Sequence, residues 1–145
     1  MKVVLQRVTH SSVSVEDNQL ASIGLGYMLL VGVEEGDTTE TATYLANKIS
    51  KLRVFEDDEG KMNLDIHQVE GQILSISQFT LLADTKKGTR PSFTKAGDPK
   101  EAEKLYNFFN KSLRETGLEV FEGQFGAHMV LDIKNDGPCT IILEK

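Results

Sequence analysis

The sequence predicts a single α+β domain, from the order of its segments, its length and its composition. Segments typical of strands lie at the start, in the middle and at the end of the chain, and two helical segments separate them. This order differs from the strict alternation that a parallel α/β sheet would require. The 145 residues fit one domain spanning 1–145. The hydrophobic share of 39% and the charged share of 26% are ordinary for a globular protein.

The first 33 residues are predicted to be strands. Residues 11–15 alternate with period two, which is typical of a half-buried strand, and residues 17–19 supply turn chemistry. Residues 20–23 would then form the return arm of a hairpin. The apolar run 27–33 indicates a strand that is buried on both faces.

Two helices are predicted from their caps and apolar stripes. The first begins with Asp37 as N-cap and Glu40 three residues later, and the second begins at Asp98-Pro99 and ends near Gly117. Helical spacing places one apolar stripe on each helix for the core. The stripes consist of Ala42, Leu45, Ala46, Ile49 and Leu52 in the first helix, and Ala102, Leu105, Phe109 and Leu113 in the second.

Further strands are predicted in the middle and at the end of the chain. Residues 71–82 give the strongest strand signal, and residues 128–133 and 140–143 flank a turn at 135–138. Residues 57–60 form an acidic turn without the spacing of a calcium loop.

Several classes of site are excluded or disfavoured. One cysteine, Cys139, allows neither an intrachain disulfide nor a cysteine-based zinc site, and its apolar neighbours indicate core packing. His10, His67 and His128 lack metal-ligand spacing, and no phosphate-binding glycine motif is present, so we predict no metal and no cofactor. No signal peptide or stretch of roughly 20 apolar residues occurs, so we expect a cytoplasmic protein without a membrane partner.

The net charge of -6 conceals a basic segment. Residues 84–100 contain five basic and two acidic residues, an excess of +3, and the rest of the chain therefore carries -9. The basic residues include Lys86, Lys87 and Arg90. Such a segment is either a polyanion-binding loop or a solvated lysine-rich loop, and the latter is commoner on composition alone.

Polar side chains interrupt the most apolar predicted strand at Ser77, Gln78 and Thr80, which flank Phe79. Buried polar groups need hydrogen-bond partners. They either bond to neighbouring backbone or mark a pocket at the end of the strand, where free backbone N–H groups could bind an oxyanion. Ser77 and Thr80 can share a site only where the strand ends, bulges or twists.

Five segments together resemble the D-aminoacyl-tRNA deacylase family over essentially the whole chain. They are MKVVLQRV at 1–8, SQFTL at 77–81, KGTRPSF at 87–93, GQFGAHM at 123–129 and NDGPCT at 135–140. The clearest departure is Cys139, where the family more often has an apolar residue such as valine. The resemblance implies largely antiparallel or mixed β-sheets that form a barrel-like core covered by two α-helices.

The resemblance also implies a function. The family hydrolyses the ester between a D-amino acid and the terminal adenosine of tRNA, and it also removes mischarged glycine. Members are homodimers with active sites at the subunit interface, where the acceptor end of tRNA binds. The SQFTL segment would supply the catalytic residues Ser77, Gln78, Phe79 and Thr80, and the partner subunit would insert a cis Gly137-Pro138 that excludes L side chains.

Other roles follow from the resemblance together with the chemistry of the residues. Phe125 and Met129 would join Phe79 in an apolar wall for the substrate, or they could be plain core. Lys86, Lys87 and Arg90 would contact tRNA. Catalysis would rest on backbone amides around Gln78, Phe79 and Thr80, with a Thr80 nucleophile ranked second because no base is placed to activate it.

Two functions of other classes stay open on the sequence. One is a non-catalytic RNA-binding module that recognises a tRNA end or replication machinery. The other is a hydrolase of free D-amino acid esters.

Overall fold

The computed structural model describes residues 1–145, and the predicted order of strands and helices is confirmed. Two α-helices and eight strands form an α+β domain. The strands are β1 (Lys2–Val15), β2 (Asn18–Ile23), β3 (Gly26–Gly32), β4 (Phe55–Glu56), β5 (Met62–Leu64), β6 (Gln72–Ser77), β7 (Val120–Glu122) and β8 (Val130–Glu144). The helices are α1 (Thr39–Lys51) and α2 (Pro99–Glu115), and a 3₁₀ turn covers Phe79–Leu82.

Six strands form one mixed sheet in the order β2-β1-β3-β6-β7, and β8 pairs with β1. The β3–β6 and β6–β7 pairs are parallel, and the others are antiparallel. Strand β2 also contacts β6 and β7, so the ends of the sheet approach each other. The sheet is therefore a nearly closed barrel, as expected.

The two helices pack against each other and against the barrel. Their buried faces join β1, β3 and β6 in the main core, and strand β3 is buried on both faces as predicted. The predicted apolar stripes are confirmed with two changes. Leu52 is the C-cap of α1 and only half-buried, and in α2 Tyr106 is buried where Leu105 is only half-buried. Neither helix combines the length and apolar character that a membrane span requires.

The predicted N-cap of α1 is wrong by one residue. Thr38 caps the helix, and its side chain accepts a hydrogen bond from the Thr41 N–H at 3.3 Å. The Asp37 carboxylate instead pairs with the Met1 ammonium group at 2.5 Å and accepts from the Glu34 N–H at 2.6 Å. Because the Asp37 carboxylate pairs with the ammonium group, it does not accept from the first turn of α1, and the neighbouring Thr38 side chain accepts from a backbone N–H there instead.

The predicted turn at 135–138 is also wrong. Strand β8 runs from Val130 to Glu144 without reversing, and both of its halves pair with β1. Asn135 lies opposite Val8 and Thr140 lies opposite Gln6, so four residues of β8 lie between positions that are only two residues apart on β1. The surplus residues form a bulge, which accommodates turn-forming residues inside a continuous strand.

Candidate active site

Strand β6 ends at Ser77, and the chain enters the 3₁₀ turn two residues later. The predicted strand 71–82 is therefore shorter than expected, and its end meets the condition for Ser77 and Thr80 to share a site. The turn rests on β3, because the Gln78 N–H donates to the Val31 carbonyl at 2.7 Å. A Cβ atom at Gly32 would lie 3.2 Å from the Gln78 carbonyl oxygen, which shows how closely the two segments pack.

The turn offers two free backbone donors. The N–H groups of Phe79 and Thr80 have no acceptor within the chain. The first N–H groups of a helical turn lack partners in the turn itself, so they are available to a ligand. The Gln78 N–H is not available because Val31 holds it, which corrects the expectation that all three amides could bind an oxyanion.

These donors adjoin an apolar cavity, which has a volume of about 650 Å³. Several parts of the fold meet there, among them the end of β3, the end of β6 with its turn, the inner face of α2, and the segment before β8. The cavity contains five of the predicted site residues, Ser77, Gln78, Phe79, Phe125 and Met129, and also Phe93, Tyr106 and His128. Thr80 lies beside it, with its hydroxyl in contact with the Gln78 side-chain amide.

Tyr106 organises the wall of the cavity. Its hydroxyl donates to the Ser75 carbonyl at 2.8 Å, and its ring lies 5.8 Å from that of Phe125. Burial raises the pKa of the Tyr106 hydroxyl, so it stays a protonated donor. The Gly123 N–H donates to the same carbonyl at 3.3 Å, which brings the segment carrying Phe125 to the end of β6. Sequence reasoning missed Tyr106, although it lies four residues after Ala102 on the buried stripe.

Residues 84–97, here called the basic loop, border the cavity. The loop is closed by reciprocal backbone hydrogen bonds of 2.7 and 2.9 Å between Asp84 and Ser92. Lys86, Lys87 and Arg90 are exposed near its tip, and none of them is in an ion pair. These three charges are therefore available to an anionic partner.

Gly137 and Pro138 lie elsewhere, exposed on the bulge of β8, and their peptide bond is cis. They do not line the cavity of their own chain. Arg7 anchors the bulge: its Nε donates to the Asp136 carbonyl and lies 3.2 Å from the Asp136 carboxylate, and its Nη1 donates to the Val54 carbonyl at 2.6 Å.

Arg7 is only 4% exposed. Sequence reasoning gave it no role, although it shares a strand face with the core residues Val3 and Leu5. A cation on a core face is a signal that it binds something buried.

No group of three or more histidine, cysteine or carboxylate side chains is placed to hold a metal ion. Cys139 is buried next to the bulge, which agrees with the core packing predicted for it.

Comparisons with known proteins show which family the chain resembles. A family model described as D-Tyr-tRNA(Tyr) deacylase matches residues 4–144. The chain is 55% identical over 145 residues to a protein of Limosilactobacillus reuteri (strain DSM 20016) named D-aminoacyl-tRNA deacylase, and each chain is fully covered. It is 57% identical to a protein of the same name from Exiguobacterium sp. (strain ATCC BAA-1283 / AT1b), covering 100% of this chain and 99% of the relative.

Two solved structures are similar over nearly their full length. One, described as c-Myc DNA Unwinding Element Binding Protein, has a TM-score of 0.94 and 42% identity, covering 100% of this chain and 99% of the other. The second, described as a probable eukaryotic D-amino acid tRNA deacylase, has a TM-score of 0.84 and covers 98% of this chain and 97% of the other. Its identity of 18% supports the fold alone.

Proposed function

This chain belongs to the D-Tyr-tRNA(Tyr) deacylase family and is a hydrolase of the ester bond of D-aminoacyl-tRNA, and on that premise we propose how its site works. The ester carbonyl oxygen binds the free N–H groups of Phe79 and Thr80. The acyl group and the terminal adenosine occupy the cavity lined by Phe79, Phe125 and Met129. The pair of unpartnered amides beside this cavity is the observation that supports the proposal most strongly.

Hydrolysis then needs little further chemistry. A water oxygen attacks the ester carbon, and the negative charge that develops on the carbonyl oxygen is held by the two amides. A single oxyanion donor is typically worth about 10²–10³ in rate. The ester C–O bond breaks, the ribose oxygen of the tRNA takes a proton, and the free D-amino acid leaves. The neighbouring 2′-hydroxyl of the tRNA could assist by activating the water.

Thr80 acts through its backbone rather than its hydroxyl. The only hydrogen-bond partner of that hydroxyl is the Gln78 side-chain amide, which is not a base. No histidine or carboxylate bonds to it, and an unactivated hydroxyl is a weak nucleophile.

Stereochemical control would come from a second subunit. Gly137 and Pro138 are exposed and do not line their own cavity, so they are free to enter the cavity of a partner chain. Strand β8 lies at an edge of the sheet, and Val130 and Ile142 on it are 64% and 65% exposed. Edge strands with exposed apolar residues favour pairing with another chain, which supports a homodimer with interface active sites.

In that dimer the carbonyl groups of the inserted Gly137 and Pro138 bind the substrate amino group and leave no room for an L side chain. Selection by exclusion tolerates any acyl group that lacks an L side chain. The proposal therefore includes cleavage of glycyl-tRNA. Lys86, Lys87 and Arg90 would bind phosphates near the acceptor end of the tRNA.

One experiment separates this function from its alternatives. The protein is incubated with D-tyrosyl-tRNA, L-tyrosyl-tRNA, glycyl-tRNA and free D-tyrosine ethyl ester, and ester loss is followed. The proposal is supported if the D-tyrosyl and glycyl esters of tRNA are hydrolysed while the L-tyrosyl ester of tRNA and the free ester are not. Cleavage of the free ester alone indicates a small-molecule hydrolase.

Binding without turnover would indicate a nucleic-acid-binding module. The similarity to a structure described as c-Myc DNA Unwinding Element Binding Protein favours that second candidate. The mass of the protein in solution, measured by light scattering, tests the dimer separately: a monomer would contradict the role of Gly137 and Pro138 in a partner's site.

A further inference from the structure

We propose that Phe93 is a positioning residue that holds the Phe79–Leu82 turn in the orientation in which its free N–H groups bind the oxyanion. The inference rests on the proposed deacylase mechanism. It gives a role to a residue of the basic loop that carries no charge.

The basic loop and the 3₁₀ turn are one continuous piece of chain. The Ala83 N–H donates to the Thr80 carbonyl at 3.2 Å and ends the turn, and Asp84 follows at once as the first anchor of the loop. At the other end of the loop, the Lys95 carbonyl accepts a hydrogen bond from the Glu35 N–H at 3.0 Å, and the Gly97 N–H donates to the Val33 carbonyl at 3.1 Å. Both ends of the loop are therefore fixed, one on the turn and one beyond the end of β3.

Phe93 forms the side-chain contact between loop and turn. Its ring meets the ring of Phe79 edge to face, with centroids 5.0 Å apart. Phe79 is 58% exposed, and no other aromatic ring stacks on it. Since Phe79 carries one of the free amides, a side chain that fixes its ring also restricts the backbone to which that amide belongs.

The size of the effect follows from the contact. An edge-to-face aromatic pair is worth about 0.5–1.5 kcal/mol beyond its buried area, and about 1.4 kcal/mol corresponds to tenfold in an equilibrium. Without the Phe93 ring, the productive orientation of the turn should be populated about threefold to tenfold less. This loss reduces kcat, whereas substrate affinity depends on the rest of the cavity and on the charges of the loop.

The test measures kcat and KM on two substrates, D-tyrosyl-tRNA and D-tyrosyl adenosine, which lacks phosphates. Phe93→Leu should lower kcat on both substrates by about threefold to tenfold and leave KM within about twofold. Phe93→Tyr keeps the ring and should restore kcat. Phe121→Leu is the matched control, because Phe121 is 37% exposed on β7 and does not line the cavity.

Thermal unfolding confirms that each variant is folded. The affinity for a non-hydrolysable analogue, in which an amide replaces the ester of D-tyrosyl adenosine, gives a second measurement. Its Kd should change by no more than about twofold in Phe93→Leu, which is less than the expected loss in kcat.

A raised KM and Kd with kcat unchanged would show that Phe93 only binds substrate, and would overturn the proposal. Wild-type kinetics in Phe93→Leu would also overturn it. Absence of turnover in the wild-type protein itself would instead refute the proposed function, so the two failures are distinguishable.

Discussion

Replacing Gly137 with alanine should weaken the discrimination between D- and L-aminoacyl-tRNA. Gly137 has φ +120°, a conformation that L residues rarely adopt. A Cβ atom there would lie 2.9 Å from the Cys139 amide nitrogen and 3.2 Å from Nη2 of Arg7. The Cys139 nitrogen is backbone and the Arg7 side chain is anchored, so the bulge itself must move.

The structure allows the magnitude to be estimated. A non-glycine residue in a sparsely populated backbone region costs about 1–3 kcal/mol. For a domain of this size, each kcal/mol lowers Tm by roughly 2–4 °C. A misplacement of about 1 Å in a site can change rates by 10²-fold. We therefore expect Gly137→Ala to stay folded and to lose at least about tenfold in the ratio of D to L turnover.

The assay compares initial rates of ester loss from D- and L-tyrosyl-tRNA, with unfolding temperatures measured in parallel. Gly60→Ala is the matched control. Gly60 has φ +76° in the acidic turn at residues 57–60, and a Cβ atom there would meet nothing within 4 Å. It shares the backbone strain of Gly137 without a role in the site, so its D to L ratio should equal that of the wild type.

A folded Gly137→Ala protein with the wild-type rate and ratio would refute the reasoning, because the bulge would then take no part in substrate selection. An equal loss of the ratio in Gly60→Ala would show that general destabilisation accounts for the effect.

Three further changes test other parts of the account. Thr80→Ala keeps its backbone N–H, so kcat/KM should fall by less than about tenfold, whereas a loss of about 10⁴ with an intact fold would identify the hydroxyl as nucleophile. A triple variant should raise KM for D-tyrosyl-tRNA and make the slope of log KM against log salt shallower by about 2; it combines Lys86→Gln, Lys87→Gln and Arg90→Gln. Its kinetics on D-tyrosyl adenosine should equal those of the wild type, and an unchanged slope would indicate a solvated loop. Arg7→Met should destabilise the protein by about 2–4 kcal/mol in denaturant unfolding and lower the D to L ratio, because the carbonyl groups that it binds lose their donor. Arg7→Lys should not restore either property, since lysine lacks the planar fork; full rescue by lysine would contradict the proposed anchoring.

Local sequence patterns predicted the helices and the buried central strand well. The α2 cap at Asp98 and the apolar stripe depend on neighbours within a few residues, and such short-range rules can be read from sequence. Asp37 was misassigned because its partner, the Met1 ammonium group, is distant in sequence. The turn at 135–138 was misassigned because only the pairing of β8 with β1 on both sides shows that the chain does not reverse.

The site was predictable only in part. Polar residues in an apolar strand indicated where β6 ends, and the structure places that end at the cavity. The engagement of the Gln78 amide by Val31 could not be predicted, because it depends on the parallel register of β3 and β6. The contact of Tyr106 with Phe125 likewise depends on how α2 packs on the sheet.

The rate of ester loss from D-tyrosyl-tRNA relative to L-tyrosyl-tRNA and glycyl-tRNA, measured with the purified protein, tests the central claim most directly. A site that is built from backbone amides and selects by exclusion predicts multiple turnovers on the D-tyrosyl and glycyl esters. It also predicts that the L-tyrosyl ester is lost only at its rate of spontaneous hydrolysis. Equal turnover of the D- and L-tyrosyl esters, or protection of glycyl-tRNA together with the L-tyrosyl ester, would contradict it.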